Sequence, residues 1–217
     1  MDKLRLRFEK TGRAVWISHL DLMTTMQRGF ARAGLQLQYS EGFNPHPLIS
    51  ILLPLSVGTE SVCELMDFRL REETDLPALP EKLSNSLPEG IRVTGVWPGE
   101  RKGAQLKWLE IEGRLEYDGR VPPADRLKEF FEREDITIEK KTKRGIGQAD
   151  IRPAIREIGF EEGEKCLLLR AVVSAQEPTL NPELLVSALR QLEPGLAPDF
   201  AKFRRIETYD VEMRVFR

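Results

Sequence analysis

The chain has two histidines, His19 and His46, both within its first 46 residues. Imidazole is the side chain that exchanges a proton near neutral pH, so each is a candidate general base or acid. His19 lies in Trp16-Ile17-Ser18-His19-Leu20-Asp21, at an expected helix start. A helix start has unpaired backbone N–H groups and favours an anion such as a phosphate. His46 lies in Tyr39-Ser40-Glu41-Gly42-Phe43-Asn44-Pro45-His46-Pro47. There Pro45 and Pro47 restrict the backbone, so holding His46 in place costs little entropy. Tyr39 and Phe43 offer faces on which an unpaired base stacks, and Asn44 can hydrogen-bond a base edge. Plainer readings stand beside these. Ser18 and Asp21 suit a helix cap, Gly42 a positive φ, and Phe43 a plug beneath its loop. Two histidines without a nearby cysteine or paired carboxylate motif do not match metal-ligand spacings, so no metal is expected.

Cations form the second set. Lys140, Lys141, Lys143 and Arg144 precede Gly145-Ile146-Gly147, and Arg152 follows Asp150. The third glycine and the phosphate-binding lysine of a nucleotide fingerprint are missing. The segment reads instead as a flexible cationic loop for a polyanion, or as a solvated hairpin tip. Residues 140–156 carry six basic residues against Asp150, a local +5. Residues 1–55 carry seven Lys/Arg against four Asp/Glu, a local +3. The net charge is -2, so the remainder carries -10. Two basic islands in an acidic chain can make one phosphate-facing side if the fold brings them together. Arg28 and Arg32 extend the first island, four residues apart on the expected helix.

These residues need elements to hold them. Leu4-Arg5-Leu6-Arg7-Phe8 alternates apolar and basic residues, as a half-buried strand does. Ser18 is the expected N-cap of a helix carrying Leu22, Met26, Phe30 and Ala33 at helical spacing, ended by Gly34. Leu35–Tyr39 is an expected short strand, and 40–47 is irregular because one Gly and two Pro break it. Leu48–Leu55 and Val62–Leu70 are expected strands, Leu79–Leu87 a helix, and Ile91–Trp97 a strand. With the second strand counted from Tyr39 or Leu48, this is the β-α-β-β-α-β order of the ferredoxin-like motif. Pro98–Gly103 reads as a linker, after which the order restarts. Leu106–Tyr117, Ile136–Lys141, Cys166–Ser174 and Phe203–Val215 are expected strands, with helices at Ala124–Arg133 and Pro182–Leu192. The expected fold class is therefore α+β, with tandem ferredoxin-like domains at 1–98 and 104–217 and antiparallel sheets.

Composition narrows the function classes. Length 217, 41% hydrophobic and 31% charged, allows buried cores and argues against global disorder. The longest apolar stretch, Leu48–Leu55, is far too short to span a membrane, and no signal-peptide core follows Met1. Two distant cysteines, Cys63 and Cys166, exclude a disulfide scaffold, a four-cysteine zinc site and a self-contained cysteine-ligated cluster. A reduced, cytoplasmic compartment is expected, and no cofactor.

Ile17-Ser18-His19-Leu20-Asp21-Leu22-Met23, Arg32-Ala33, and Tyr39–Pro47 with Ile49-Ser50 and Pro54-Leu55 resemble the radical-SAM-linked protein family, as does Asp150-Ile151-Arg152-Pro153. That family is a domain of unknown function found beside, or fused to the end of, a cobalamin-binding radical-SAM protein. The resemblance spans most of the chain. It implies a bacterial cytoplasmic protein with a radical-SAM protein as partner. The chain lacks the three-cysteine cluster motif and so is not itself the radical enzyme. By architecture alone, tandem ferredoxin-like domains with a basic cleft also occur in repeat-processing endoribonucleases of CRISPR systems.

The leading expectation is an RNA-binding accessory protein that presents structured RNA, such as transfer or ribosomal RNA, to the radical-SAM enzyme. Its expected RNA-binding residues are Ser18, His19, Asp21, Arg28, Arg32, Tyr39, Ser40, Phe43, Asn44, His46, Lys140, Lys141, Lys143, Arg144 and Arg152. One alternative is a metal-independent endoribonuclease using His19 or His46 to deprotonate a 2′-hydroxyl. Another is a protein-only adaptor for the radical-SAM partner.

Overall fold

A computed structural model of the chain describes residues 2–142 and 145–217, with side chains except at 141 and 142. The chain divides into two compact units, Met1–Gln105 with Arg217, and Leu106–Phe216. Both are mixed α+β with antiparallel sheets.

The first unit runs β1 (Leu4–Lys10), α1 (His19–Arg32), β2 (Ile49–Ile51), β3 (Glu60–Phe68), α2 (Leu79–Ser84) and β4 (Ile91–Pro98). Its strands lie in the order β4-β1-β3-β2, each neighbour antiparallel. Leu6 and Phe8 of β1 and Met66 and Phe68 of β3 pack against Leu22, Met26 and Phe30 of α1. The Phe30 and Phe68 rings are 5.0 Å apart. Ser18 caps α1, its Oγ accepting the Asp21 N–H at 3.2 Å and donating to Asp21 Oδ2 at 2.7 Å. Gly34, at φ +67°, turns the chain away after the last helical residues.

Several expected elements are shorter or differently used. Leu35–Tyr39 forms isolated bridges, Leu37 with Leu70 and Tyr39 with Pro47, rather than a strand. Leu48–Leu55 pairs as a strand only over Ile49–Ile51. Leu52 N–H still reaches Leu65 O, but Pro54 has no N–H to continue a ladder. The basic face of β1 is not wholly solvated. Arg5 is fully buried, its Nε and Nη2 forked onto Asp67 at 2.6 and 3.0 Å. The expected linker is tied down as part of this unit. Gly99 N–H donates to Lys3 O, and Arg101 O accepts from Arg5 Nη2 at 2.8 Å.

The second unit runs β5 (Trp108–Glu116), α3 (Ala124–Phe131), β6 (Thr137–Thr142), β7 (Gly145–Asp150), β8 (Ile155–Gly163), β9 (Cys166–Ser174), α4 (Glu183–Leu192) and β10 (Phe200–Tyr209). The main sheet has the order β10-β5-β9-β8, again antiparallel throughout. β6 and β7 form a separate two-stranded hairpin inserted between α3 and β8. Leu109, Ile111 and Leu115 are buried and alternate with Glu110, Glu112 and Arg114, the pattern of a sheet with one covered face. Phe130 and Phe131 meet edge to face at 4.9 Å. Three features depart from expectation. Lys140–Thr142 and Gly145–Asp150 are paired backbone, the arms of a hairpin rather than an open loop. β8 is an additional strand. β10 ends at Tyr209, because Asp210 Oδ1 accepts the N–H groups of Glu212 and Arg214 and turns the chain.

Cys63 and Cys166 are both buried and are not joined in a disulfide. Among the described residues, no helix is long and apolar enough to cross a membrane.

Candidate functional site

The segment Tyr39–Pro47 is a loop closed at its neck. Tyr39 and Pro47 form a bridge, and Ser40 N–H donates to His46 O at 2.9 Å. Ser40 Oγ accepts the His46 N–H at 3.1 Å and lies 2.9 Å from His46 Nδ1. Ser40 therefore fixes both the backbone and the ring of His46. Beyond this neck, Glu41 to Pro45 are all exposed. Gly42 takes φ +119°, a conformation other residues rarely adopt, which lets the tip reverse. Phe43 stands wholly clear of the protein, at 111% of its reference exposure. It does not plug the core.

Two grooves flank the C-terminal half of α1 in this unit. One, of about 690 Å³, is lined by Arg28 and Arg32 together with Thr25, Asn85 and Ser86. Arg32 directs Nε and Nη2 onto Ser86 O at 2.9 and 2.6 Å, which holds α1 to the end of α2. Arg28 is exposed. The other, of about 450 Å³, is lined by Phe30, Leu37, Tyr39 and Arg71 among others. The Arg71 guanidinium carbon is 6.0 Å from the Tyr39 ring centre. Nothing in the local sequence pattern pairs Tyr39 with Arg71. The Leu37–Leu70 bridge does, and that is a long-range contact.

His19 is exposed on the first turn of α1. Val15 O accepts from Gly58 N–H, and Lys10 pairs with Ser61, so this turn sits at the Lys10 end of the sheet. The Tyr39–Pro47 loop sits at the other end, where Ile49 and Leu4 both pair with Phe68. Between them runs α1, 14 residues and so about 21 Å long. His19 and His46 are thus not brought together, and a two-histidine nuclease centre does not form within this unit. Beside His19, Trp16, Leu20 and Val57 are exposed at 72, 77 and 55%, an apolar surface that the sequence reading missed.

In the second unit Asp150 and Arg152 have local duties. Asp150 Oδ1 accepts the N–H groups of Ile136 at 3.1 Å and Arg152 at 2.9 Å. Arg152 Nη1 donates to Ile155 O at 2.8 Å. The Asp-Ile-Arg-Pro string therefore ties the hairpin's base to β8. Lys140 is half-buried opposite Gly147, and Lys141 pairs with Ile146 through the backbone register. Lys143 and Arg144 lie outside the described residues. The Gln191 side chain clasps Glu139, accepting its N–H at 2.7 Å and donating to its C=O at 3.1 Å. Among the described residues, no cluster of three or more His, Cys, Asp or Glu is arranged to hold a metal.

An α+β chain whose sheets are antiparallel and whose first unit presents a locked aromatic loop is the class these observations define. Residues 3–182 match the family described as an uncharacterized protein conserved in bacteria (DUF2344), and the chain belongs to that family. No curated protein matches it. One similar solved structure is a chain from the crystal structure of a Cbf5-Nop10-Gar1 complex, 13% identical with a TM-score of 0.54. That match covers 94% of this chain, which spans 48% of the other. A second is Thermus thermophilus Cse3 bound to an RNA representing a pre-cleavage complex, 14% identical with a TM-score of 0.21, covering 93% and 98% of the two chains. The first of these likenesses is one of fold.

Proposed function

We propose that this protein is a cytoplasmic RNA-binding accessory of a radical-SAM enzyme, acting in RNA modification or processing and contacting RNA through the Tyr39–Pro47 loop. The observation that carries the reading is Phe43, held outside the body on a neck fastened by Ser40 and His46. A large aromatic in water is unfavourable unless something covers it, and a splayed base is a natural cover. Asn44 and His46 flank it with hydrogen-bonding groups, and on the other flank of α1 the exposed Arg28 lines a groove where a phosphate can sit. The resemblance of the Ser18–Asp21, Tyr39–Pro47 and Asp150–Pro153 strings supports the radical-SAM partner. Once the inserted β6–β7 hairpin is set aside, the repeat of β-α-β-β-α-β order, with a matching strand order in each unit, supports two ferredoxin-like domains at 1–98 and 104–217.

The test is fluorescence anisotropy with single-stranded RNA at two salt concentrations. Binding should weaken steeply with salt, because phosphate contacts release counterions. Phe43→Ala should weaken it about tenfold, the loss of one stacked base. Absent binding, or binding indifferent to salt, would refute the RNA reading. Co-purification with a radical-SAM enzyme from a bacterial lysate tests the partner.

A further inference from the structure

The loop explains one aromatic of the first unit but leaves the groove beside it unused. That groove, of about 450 Å³, falls within the size range of small-molecule sites, roughly 300–1,000 Å³. It runs between the C-terminal half of α1 and the segment 34–39. Phe30 and Leu37, both buried, give it an apolar floor. Gln27, Gln36 and Arg71 give it a polar rim, and no acidic side chain lines it. Tyr39 closes one end with its ring about half exposed, and Arg71 stands beside that ring. Because Tyr39 also bridges to Pro47, one residue both ends the groove and begins the loop.

Each part narrows the occupant. An apolar floor does not accept a phosphate. An aromatic ring paired with a guanidinium is a stacking platform for a flat, electron-rich ring. Each glutamine amide carries both a donor and an acceptor, the combination needed to pair with the edge of a base. A cationic guest would meet Arg71 and no carboxylate.

We infer that this groove takes one unpaired base of the RNA strand, stacked on Tyr39 and read by Gln27 and Gln36, with Arg71 on the adjoining phosphate. The assignment rests on the RNA reading above and deepens it. Phe43 supplies affinity for any base, and the groove supplies a preference among them.

Short homopolymers of A, C, G and U test it by anisotropy. The wild-type protein should prefer one of the four by about tenfold or more, the discrimination expected of paired amide contacts. The Gln27→Ala/Gln36→Ala double variant should flatten that preference, and because neither glutamine is charged the salt slope should stay the same. Both glutamines lie at the surface, and a melting curve checks that the variant is folded. Phe43→Ala should weaken all four alike. Equal binding of the four by the wild type, or a preference that survives in the double variant, overturns the groove assignment and leaves the RNA reading standing. Binding to none of the four overturns both.

Discussion

Tyr39–Pro47 and Asp150–Pro153 look alike as strings of letters. Each is short, each is polar, and each is fixed by proline. In the structure their polar groups do opposite things. Ser40 holds His46 from within the loop, and the residues beyond that neck meet solvent. Asp150 and Arg152 turn their charges onto backbone groups of Ile136, Arg152 and Ile155. The first string fastens itself in order to present something. The second is the fastening. A motif of polar residues is thus a site only where its hydrogen bonds orient groups that remain unoccupied.

That contrast breaks if Asp150 proves dispensable for folding. Asp150→Ala leaves two backbone N–H groups without their charged acceptor. It should lower stability by about 2–3 kcal/mol in urea denaturation, with RNA affinity of the folded fraction unchanged. A loss of affinity at unchanged stability would instead make this string a binding surface.

Tyr117 sharpens the same point. Its hydroxyl donates to Leu196 O at 3.1 Å inside the second unit. Burial first, and then the negative charge of Asp199, push its pKa up to about 12. The unfolded chain ionises this tyrosine near pH 10 while the folded one keeps the proton. The folded state should therefore lose stability between pH 10 and pH 12, by about 2 kcal/mol. Tyr117→Phe should remove that part of the alkaline loss. The measurement is the urea midpoint of both proteins at pH 10 and pH 12, and equal alkaline losses would show that Tyr117 ionises freely.

How much of this was legible in the sequence depended on whether local pattern or distant pairing decides. α1 could be read because Ser18, the Leu22-Met26-Phe30 spacing and Gly34 are all local signals. β9 could be read because Cys166–Ser174 is nearly continuous apolar sequence. β8 could not. Arg156, Glu157, Glu161 and Glu162 interrupt any alternation, and its strand character comes from pairing with β9. β6 could be read from Ile136–Lys141, but β7 reads as a loop because Gly145 and Gly147 weaken strand propensity, although the ladder forms. At the candidate site, the loop itself was legible from Gly42, Pro45 and Pro47. Whether Phe43 pointed in or out was not, because neighbours far along the chain settle that. The pairing of Tyr39 with Arg71, and the separation of the two histidines along α1, were hidden for the same reason.

Phe43→Ala probes the presenting half of the comparison. The side chain touches nothing that folding buries, so stability should change by less than about 0.5 kcal/mol. RNA affinity should fall about tenfold. The Asp150 variant should give the reverse pattern. Melting curves and anisotropy on the two proteins together would decide whether presentation and fastening are separate.

Ser40→Ala tests whether the neck matters for the tip. The substitution removes the acceptor of the His46 N–H and the partner of Nδ1, but leaves the Ser40 N–H to His46 O bond of 2.9 Å and the Tyr39–Pro47 bridge. The loop should therefore stay closed at its base while the ring and the tip gain freedom. Ordering them then falls to the binding step, and affinity should drop about two- to fivefold, equivalent to a lost hydrogen bond of under about 1 kcal/mol. The global melting point should hardly move. If affinity were untouched, the pinned neck would have no part in presenting Phe43, and the aromatic alone would account for the contact.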